Sequence, residues 1–196
     1  MTDRKRDHRI KDVGTLKAIA HPLRANLYRR LIIARTATAS QLAEQVDEAV
    51  SLVSYHLRKL AEHGLIEEAE PQTADGRERW WRPATEGLST RDEDFRDAPE
   101  KAAAYTAASR LFFEQRADMF RHFLDERAHW PDAWTTAYDS SEWLLRLTPD
   151  ELAELSKRMN ALVREYEERG RAAQAAGETE GRENVAVHTY GFPFRL

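Results

Sequence analysis

The chain has 196 residues, of which 41% are hydrophobic and 33% charged, and this mixture predicts a folded protein rather than a disordered one. It contains no cysteine, which excludes disulfides, thiolate nucleophiles and cysteine-ligated metal sites. The net charge of the whole chain is −4. Residues 1–90 carry 15 Lys and Arg against 13 Asp and Glu, so the net charge of this part is +2 and that of residues 91–196 is −6. Nucleic-acid binding is therefore permitted. Without an apolar stretch of membrane length or a secretory signal, we expect a cytoplasmic protein with no membrane partner.

The first part of the chain predicts a series of short helices. Leu16 and Ile19 indicate a first helix, and Pro22 suits the first turn of a second. A third helix is predicted from residue 39, because Thr38 and Gln41 have the spacing of a capping box. The second helix carries apolar side chains at helical spacing, namely Leu23, Leu27, Leu31 and Ala34.

A further helix is predicted over 50–63, with Val53, Leu57 and Leu60 facing inward and Gly64 at its end. Residues 65–70 and 78–83 then predict two strands of a hairpin, with Asp-Gly in the turn at 73–77. Because neighbouring strand residues point to opposite faces, we expect one of Trp80 and Trp81 to be buried and the other partly exposed.

The order helix, short turn, helix and hairpin is that of a winged helix-turn-helix. Such a motif places its second helix in the major groove of DNA, with the preceding helix bracing it. In helix 50–63 the inward positions leave Ser51, Ser54, Tyr55 and Arg58 outside, with His56 and Lys59 at the flanks. The candidate DNA contacts lie on the two helices and at the hairpin tip, and they are Thr38, Gln41, Ser51, Ser54, Tyr55, His56, Arg58, Lys59, Arg77 and Arg79. The basic arm Arg4-Lys5-Arg6 is expected to add phosphate contacts.

Three stretches carry a resemblance to a known family: LKAIAHPLR at 16–24, SYHLRKLAEHGLI at 54–66 and GRERWWRP at 76–83. Together they resemble the ArsR-type winged helix regulators of bacteria, over roughly residues 12–88. The resemblance implies a homodimer on a two-fold operator, usually a repressor and often released by an effector. It places the DNA-reading positions at Ser51, Ser54, Tyr55 and His56. Many relatives sense metals through cysteine and histidine, and the absence of cysteine here puts metal sensing in doubt.

Residues 89–100 are dense in charge and predict a linker or the solvated start of a helix. A long helix follows from residue 99 or 100 to about 127, with two adjacent apolar stripes. One small domain offers little to cover so broad a face, so we expect a partner subunit there. The stripes are Phe113, Ala117, Phe120 and Leu124, and beside them Phe112, Met119 and Phe123.

The last part of the chain predicts a strand at 143–147, a helix from Thr148-Pro-Asp-Glu151 onward, and a final strand at 185–189. The helix has a coiled-coil-like seam of Leu152, Leu155, Met159, Leu162 and Tyr166, which suits helix pairing. The surrounding aromatic residues indicate either a core and interface or an apolar pocket for a small-molecule effector, and the first interpretation is favoured. They are Trp130, Trp134, Tyr138, Trp143, Tyr166, Tyr190 and Phe192.

The predicted fold is mainly α with small β parts: a winged helix-turn-helix domain at 12–88 and a C-terminal helical or αβ dimerisation or sensing region at 99–196. The predicted function is sequence-specific binding of double-stranded DNA by a homodimeric transcriptional regulator. A winged helix that binds proteins without DNA is the alternative. No phosphate-binding loop, nucleophile elbow or zinc-protease motif indicates an enzyme, and no cofactor is expected. His122 and His129 lack a convincing third ligand and are interpreted as surface histidines.

Overall fold

The computed structural model describes residues 8–72, 78–85 and 87–195. The chain divides into two compact units, Met1–Asp125 and Glu126–Leu196, and each is described by itself. The fold is mainly helical with small sheets, as predicted. The functional division into 12–88 and 99–196 stays a prediction.

Four helices of the first unit follow one another closely, in the predicted order. They are α1 (Val13–Ala20), α2 (Pro22–Ala34), α3 (Ala39–Val46) and α4 (Val50–Glu62). The Asp12 carboxylate caps α1 by accepting the backbone N–H of Thr15 at 2.8 Å. Pro22 opens α2, where its missing N–H costs no hydrogen bond. Gly64 follows α4 with a φ of +66°, so it takes the left-handed conformation expected after a helix end.

The strands form one two-stranded and one three-stranded sheet. They are β1 (His8–Ile10), β2 (Ala37–Thr38), β3 (Ile66–Ala69), β4 (Trp80–Pro83) and β5 (Leu88–Thr90). The three-stranded sheet is antiparallel in the order β2-β4-β3, so Trp81 pairs with Ala37 on one side and with Glu68 on the other. The hairpin of β3 and β4 is the predicted wing, and its predicted turn at 73–77 lies outside the described residues.

The tryptophan pair of β4 differs from expectation. Trp80 and Trp81 are 8% and 5% exposed, so the prediction that one ring would be partly exposed is wrong. Trp81 belongs to the hydrophobic core, whereas Trp80 lies on the other face with Thr38 and Ala69 as its cross-strand neighbours. The strand β4 lies between β2 and β3, so its tryptophan rings have neighbouring strands on both sides. Alternation predicts which face of the sheet each ring lies on, but not how much of the ring is buried there.

Residues 89–100 are not a linker, so that alternative is wrong, whereas the solvated start of a helix is present at Pro99 and Glu100, the exposed first residues of α5 (Pro99–Glu126). Ser89 pairs with Arg9 in the parallel β1–β5 ladder, and Phe95 is fully buried with its ring stacked on Tyr105 at 5.2 Å between centroids. The Arg9 guanidinium donates to Asp94 at 2.6 Å, so a charged pair also joins this segment to β1. Three-residue strands and a single buried ring give no periodic signal, which is why the sequence pattern did not reveal them.

The core of the first unit lies where α1, α2 and α4 meet the three-stranded sheet. On α4 the three predicted inward residues are fully buried, whereas on α2 this holds for Leu27 and Leu31, with Leu23 half-buried and Ala34 exposed. Helices α1 and α3 contribute one fully buried leucine each. The fully buried aliphatic residues of these helices are Leu16, Leu27, Leu31, Leu42, Val53, Leu57 and Leu60. Burial of each such side chain stabilises the fold by about 1.5–3 kcal/mol relative to exposure.

Helix α5 (Pro99–Glu126) closes the first unit and confirms the predicted long helix. Its Gln115 side chain links it to the preceding helices: Nε2 donates to the carbonyl of Ala20 at 3.3 Å, and Oε1 accepts from Arg29 at 2.7 Å. Tyr105 and Phe112 pack against the core. Much of the predicted apolar face remains exposed in this chain, at Phe113, Met119, Phe120 and Leu124, and the neighbouring Leu111 is exposed as well.

The second unit contains α6 (Asp132–Ala137) and α7 (Pro149–Ala175), after a single 3-10 turn at Arg127–His129. Helix α7 begins as predicted, because Thr148 and Glu151 form a reciprocal capping box and Pro149 occupies the first turn. Among the described residues, no helix is both long and apolar enough to cross a membrane.

Neither predicted strand of the second unit is present. Residues 143–147 and 185–189 carry no regular secondary structure, and their side chains stand in solvent, with Trp143 61% and Val185 66% exposed. Alternating apolar residues form a strand only when a neighbouring segment supplies hydrogen bonds, and these two segments do not pair with each other. The expected pocket between helical and strand parts therefore has no strands to form it in the described part of this unit.

The aromatic residues of the second unit do not form a core. Trp143, Tyr166, Tyr190 and Phe192 are between 48% and 70% exposed, and Ala173 is the one buried residue among those described in this unit. The prediction that these aromatic residues form a core is therefore wrong, and their predicted role at an interface stays a prediction.

Candidate nucleic-acid interface

The bracing helix α3 is held at its start by its own side chains. The Thr38 hydroxyl accepts the backbone N–H of Gln41 at 3.3 Å, and the Gln41 side-chain carbonyl accepts the backbone N–H of Thr38 at 3.0 Å. This capping box satisfies two donors that the first turn would otherwise leave unpaired. Leu42 and Ala43 then anchor the opposite side of α3 in the core.

The capping box uses the Thr38 hydroxyl and the Gln41 side-chain carbonyl as hydrogen-bond acceptors, which limits the groups that these residues have for a DNA contact. Thr38 is only 1% exposed, so its predicted DNA contact is corrected: its side chain is engaged within the protein. Gln41 is exposed, and its side-chain carbonyl is used in the cap, which leaves the amide NH2 as the end that faces an external acceptor.

A three-residue turn sets the angle between α3 and α4. Asp47 has a φ of 53°, in the left-handed region, and the backbone N–H of Glu48 donates to Ala43 at 3.1 Å. Ala49 then starts the next helix by accepting from the N–H groups of Leu52 and Val53, both at 3.0 Å. A short aspartate tolerates the left-handed conformation better than most residues, so the sequence Asp-Glu-Ala suits this turn.

Helix α4, the candidate reading helix, has one buried and one exposed side. Val53, Leu57 and Leu60 are fully buried. Ser51, Tyr55 and Arg58 are exposed, as the helical spacing predicted, whereas Ser54 is half-buried. Tyr55 exposes 46% of its surface. The outer side therefore combines two hydroxyls, a phenol and a guanidinium, groups that suit base edges and phosphates.

His56 lies on the inner side of α4, which corrects its prediction as a DNA contact. Its side chain is 6% exposed, and its ring lies 4.7 Å from that of His21 between centroids. The exposed Tyr55 ring packs edge-on against it at 5.2 Å. Burial lowers the pKa of His56, and the neighbouring His21 and Arg24 lower it further. His56 is thus a neutral support beneath the reading side rather than a group that reaches DNA.

The cations of α4 have partners within the helix. Lys59 donates to Glu62 at 2.7 Å, and this hydrogen bond raises the pKa of Lys59. Its ammonium also lies 5.8 Å from the centre of the Tyr55 ring. The Arg58 guanidinium donates to the carbonyl of Ser54 at 3.3 Å, a weaker contact that leaves most of its five donors for an external anion. An ammonium has three donors, so Lys59 also keeps N–H groups for an external anion.

The wing presents Arg79 beside the three-stranded sheet. Its guanidinium pairs with Glu68 at 2.5 Å and lies 5.5 Å from the centre of the Trp81 ring. Ser40 of α3 donates to Glu78 at 2.6 Å, so the start of the bracing helix is tied to the wing. Arg77 and the arm at 4–6 lie outside the described residues, and their DNA contacts stay predictions.

Residues 19–69 match the model of a protein family described as a helix-turn-helix domain. This segment is a helix-turn-helix domain. The match runs from the end of α1 to the end of β3, so the helix-turn-helix domain includes both α3 and α4.

Several solved structures are similar to the chain. One is named as a possible transcriptional regulator for arsenical resistance and is 24% identical to this chain, with a TM-score of 0.32. The match covers 65% of this chain and 98% of that protein's chain. An ArsR family transcriptional regulator is 25% identical, covers 52% of this chain and 88% of its own, and has a TM-score of 0.31. The adhesin competence repressor of Streptococcus pyogenes is 12% identical, with 75% and 81% covered and a TM-score of 0.30.

These TM-scores are low, so the assignment of the helix-turn-helix domain rests on the family match and on the geometry of α3 and α4. No curated protein matches the chain. Within the described residues, no group of three or more histidine, aspartate or glutamate side chains is arranged to hold a metal ion.

Proposed function

We propose that this protein is a DNA-binding transcriptional regulator that reads the major groove with α4. One observation carries the proposal: the fully buried Val53, Leu57 and Leu60 anchor this helix, and Ser51, Tyr55 and Arg58 stand on its solvent side. A helix enters the major groove only when it projects from its support and carries polar groups on the projecting side. The bracing helix α3 and its capping box hold that projection in place.

We further propose that it acts as a homodimer. The exposed apolar residues of α5, such as Phe113 and Phe120, support a subunit interface on the first unit. Two copies of α4 would then enter successive major grooves about 34–36 Å apart, on a two-fold operator. Repression in the cytoplasm and release by a small-molecule effector belong to the proposal through the ArsR resemblance alone.

Selection of bound sequences from a random pool of duplex DNA tests both parts. We expect a two-fold motif with half-sites one helical turn apart. A selected pool without any preferred sequence, or no retention of duplex DNA at low salt, would contradict DNA reading and favour the protein-binding alternative.

Substitution of Tyr55 tests the reading helix. Tyr55→Ala should weaken binding to the selected operator by about 1–3 kcal/mol, with less effect on unrelated DNA, because it removes a contact at the groove. Fluorescence anisotropy with labelled duplexes measures this. Tyr190→Ala is the matched control, since Tyr190 has a similar exposure of 48% and lies in the second unit. Equal operator affinity of both variants and the unchanged protein would remove Tyr55 from the site.

Substitution of Arg79 tests the wing. Arg79→Ala should weaken binding to every sequence and reduce the slope of log K against log salt by about 0.9, the effect of one lost phosphate contact. Arg146→Ala, at an exposed position of the second unit, should leave the slope unchanged. An unchanged slope for Arg79→Ala would show that Glu68 keeps this guanidinium away from DNA.

A further inference from the structure

Helix α7 carries an apolar seam that stays exposed beyond Leu152, which is half-buried next to Gly191 of the same chain. Leu155, Met159, Leu162 and Tyr166 are 36%, 41%, 56% and 62% exposed. They repeat at alternating intervals of four and three residues, the spacing of a coiled coil. Since Ala173 is the one buried residue among those described in the second unit, this unit has no core of its own to receive the seam.

The charges beside the seam indicate what covers it. Arg158 and Glu165 each precede a seam residue by one position, so they border the same side of the seam, two turns apart. In an antiparallel pair of α7 helices, the side of the seam that carries Arg158 and Glu165 in one helix faces the equivalent side in the second helix. When Met159 of one copy meets Leu162 of the other, Arg158 lies opposite Glu165, and the two-fold symmetry makes this pair twice.

A parallel pair would lack this complementarity. In a parallel pair, Arg158 and Glu165 of one helix face residues on the other side of the seam of the second helix. The residues on that side are Ser156, Val163 and Gly170. None of these residues is charged. The charge pattern of α7 therefore favours the antiparallel arrangement of two identical helices.

The cross-copy pair is compatible with the contacts already present on α7. Glu165 accepts a hydrogen bond from Arg169 one turn further along, and the Arg169 guanidinium lies 4.9 Å from the centre of the Tyr166 ring. A carboxylate has two oxygens and accepts from two guanidinium groups at once. Arg158 is exposed and projects beside the seam.

We propose that α7 is a self-association surface, which binds α7 of a second copy of this chain in antiparallel register. Met159 packs on Leu162 of the second copy, and Leu155 packs on Tyr166 of the second copy. The Arg158–Glu165 pairs border the contact. This interface goes beyond the DNA-binding function and does not rest on it, because it uses only residues of the second unit.

Cysteine cross-linking of the full chain tests the register, since the protein has no cysteine of its own. The variant Leu155→Cys/Tyr166→Cys should give a covalent dimer with a bismaleimide that spans about 8 Å, because the two positions meet across the interface. On a single helix they are about 16 Å apart, too far for an internal link. A mixture of the two single variants should also cross-link.

Each single cysteine variant alone should stay monomeric on a denaturing gel, because its two copies lie about 16 Å apart in the antiparallel register. Strong cross-linking of Leu155→Cys alone would show a parallel pair and overturn the proposal. No dimer from the double variant would overturn it as well, and would leave the seam to a different partner.

Charge reversal tests the bordering pair in the same cross-linking assay. Arg158→Glu or Glu165→Arg should slow dimer formation about tenfold, since each turns two attractions into repulsions. The combined reversal should restore the rate to within about threefold, because the pairs are re-formed with opposite sign. Arg164→Glu makes the same charge change on the side of α7 away from the seam and should have little effect. A combined variant as slow as the single ones would refute the Arg158–Glu165 pairing.

Discussion

Acid should destabilise the helix-turn-helix domain through the pair of histidines beneath the reading helix. The Nδ1 atoms of His21 and His56 are both buried without a hydrogen-bond partner. Burial lowers the pKa of each ring below its usual value near 6.5, and the charge of Arg24 lowers both further. The folded protein therefore holds protons on these rings less strongly than the unfolded chain does.

The sign and size of the effect follow from proton linkage. As pH falls below about 6.5, the unfolded chain binds protons that the folded domain does not, so the free energy of unfolding decreases. Each ring contributes at most about 1.4 kcal/mol per pH unit, and the loss stops once the pH is below the folded pKa. Between pH 6.5 and 5.0 the two rings together therefore remove at most about 4 kcal/mol, a large part of a typical stability of about 5–15 kcal/mol.

Urea unfolding followed by circular dichroism, from pH 7.5 to 5.0, measures this effect. The control is His21→Gln/His56→Gln, in which the carboxylates still titrate and only the two imidazoles are lost. The difference in unfolding free energy between unchanged protein and variant should fall as the pH is lowered across this range, by no more than about 4 kcal/mol. A difference that stays constant with pH would refute the account, because it would mean that the rings bind protons equally well in both states.

Three further substitutions test the packing of the helix-turn-helix domain, each by urea or thermal unfolding. Leu57→Ala should cost about 2–5 kcal/mol because it opens a cavity at a fully buried position, whereas Leu144→Ala, at 70% exposure, should cost less than about 0.5 kcal/mol. Equal costs would contradict the placement of α4. Thr38→Ala should cost about 0.5–2 kcal/mol through loss of the α3 cap, and an unaffected protein would show that the cap is not needed. Gly64→Ala should cost about 1–2 kcal/mol, not through a clash but because φ is +66°, and a neutral result would mean that the backbone relaxes there.

The helix-turn-helix domain was predictable because its signals are local. Helical spacing placed Val53, Leu57 and Leu60 inside, and the Thr38–Gln41 spacing marked the start of α3. Gly64 marked the end of α4. Such signals depend on neighbours within about four residues, so the chain reveals them without any knowledge of long-range contacts.

The candidate site was only partly predictable for the opposite reason. His56 is at a position that helical spacing left at the flank, and its burial depends on His21, which is 35 residues earlier and meets it only in the folded unit. The sequence pattern at Thr38 suits both a helix cap and a DNA contact, and the burial of its side chain in the fold favours the cap. The ion pairs of Lys59 and Arg79 likewise depend on where the side chains lie in the folded protein.

The sequence by itself determined the order and bounds of the main helices, the wing strands and the polar outer side of α4, since each follows from a local pattern of apolar spacing, caps and turns. Only the tertiary structure decided that residues 89–100 join the first unit and that 143–147 and 185–189 stay unpaired. Strand formation depends on hydrogen bonds to a segment that is distant in sequence, and no local pattern states whether that segment is within reach.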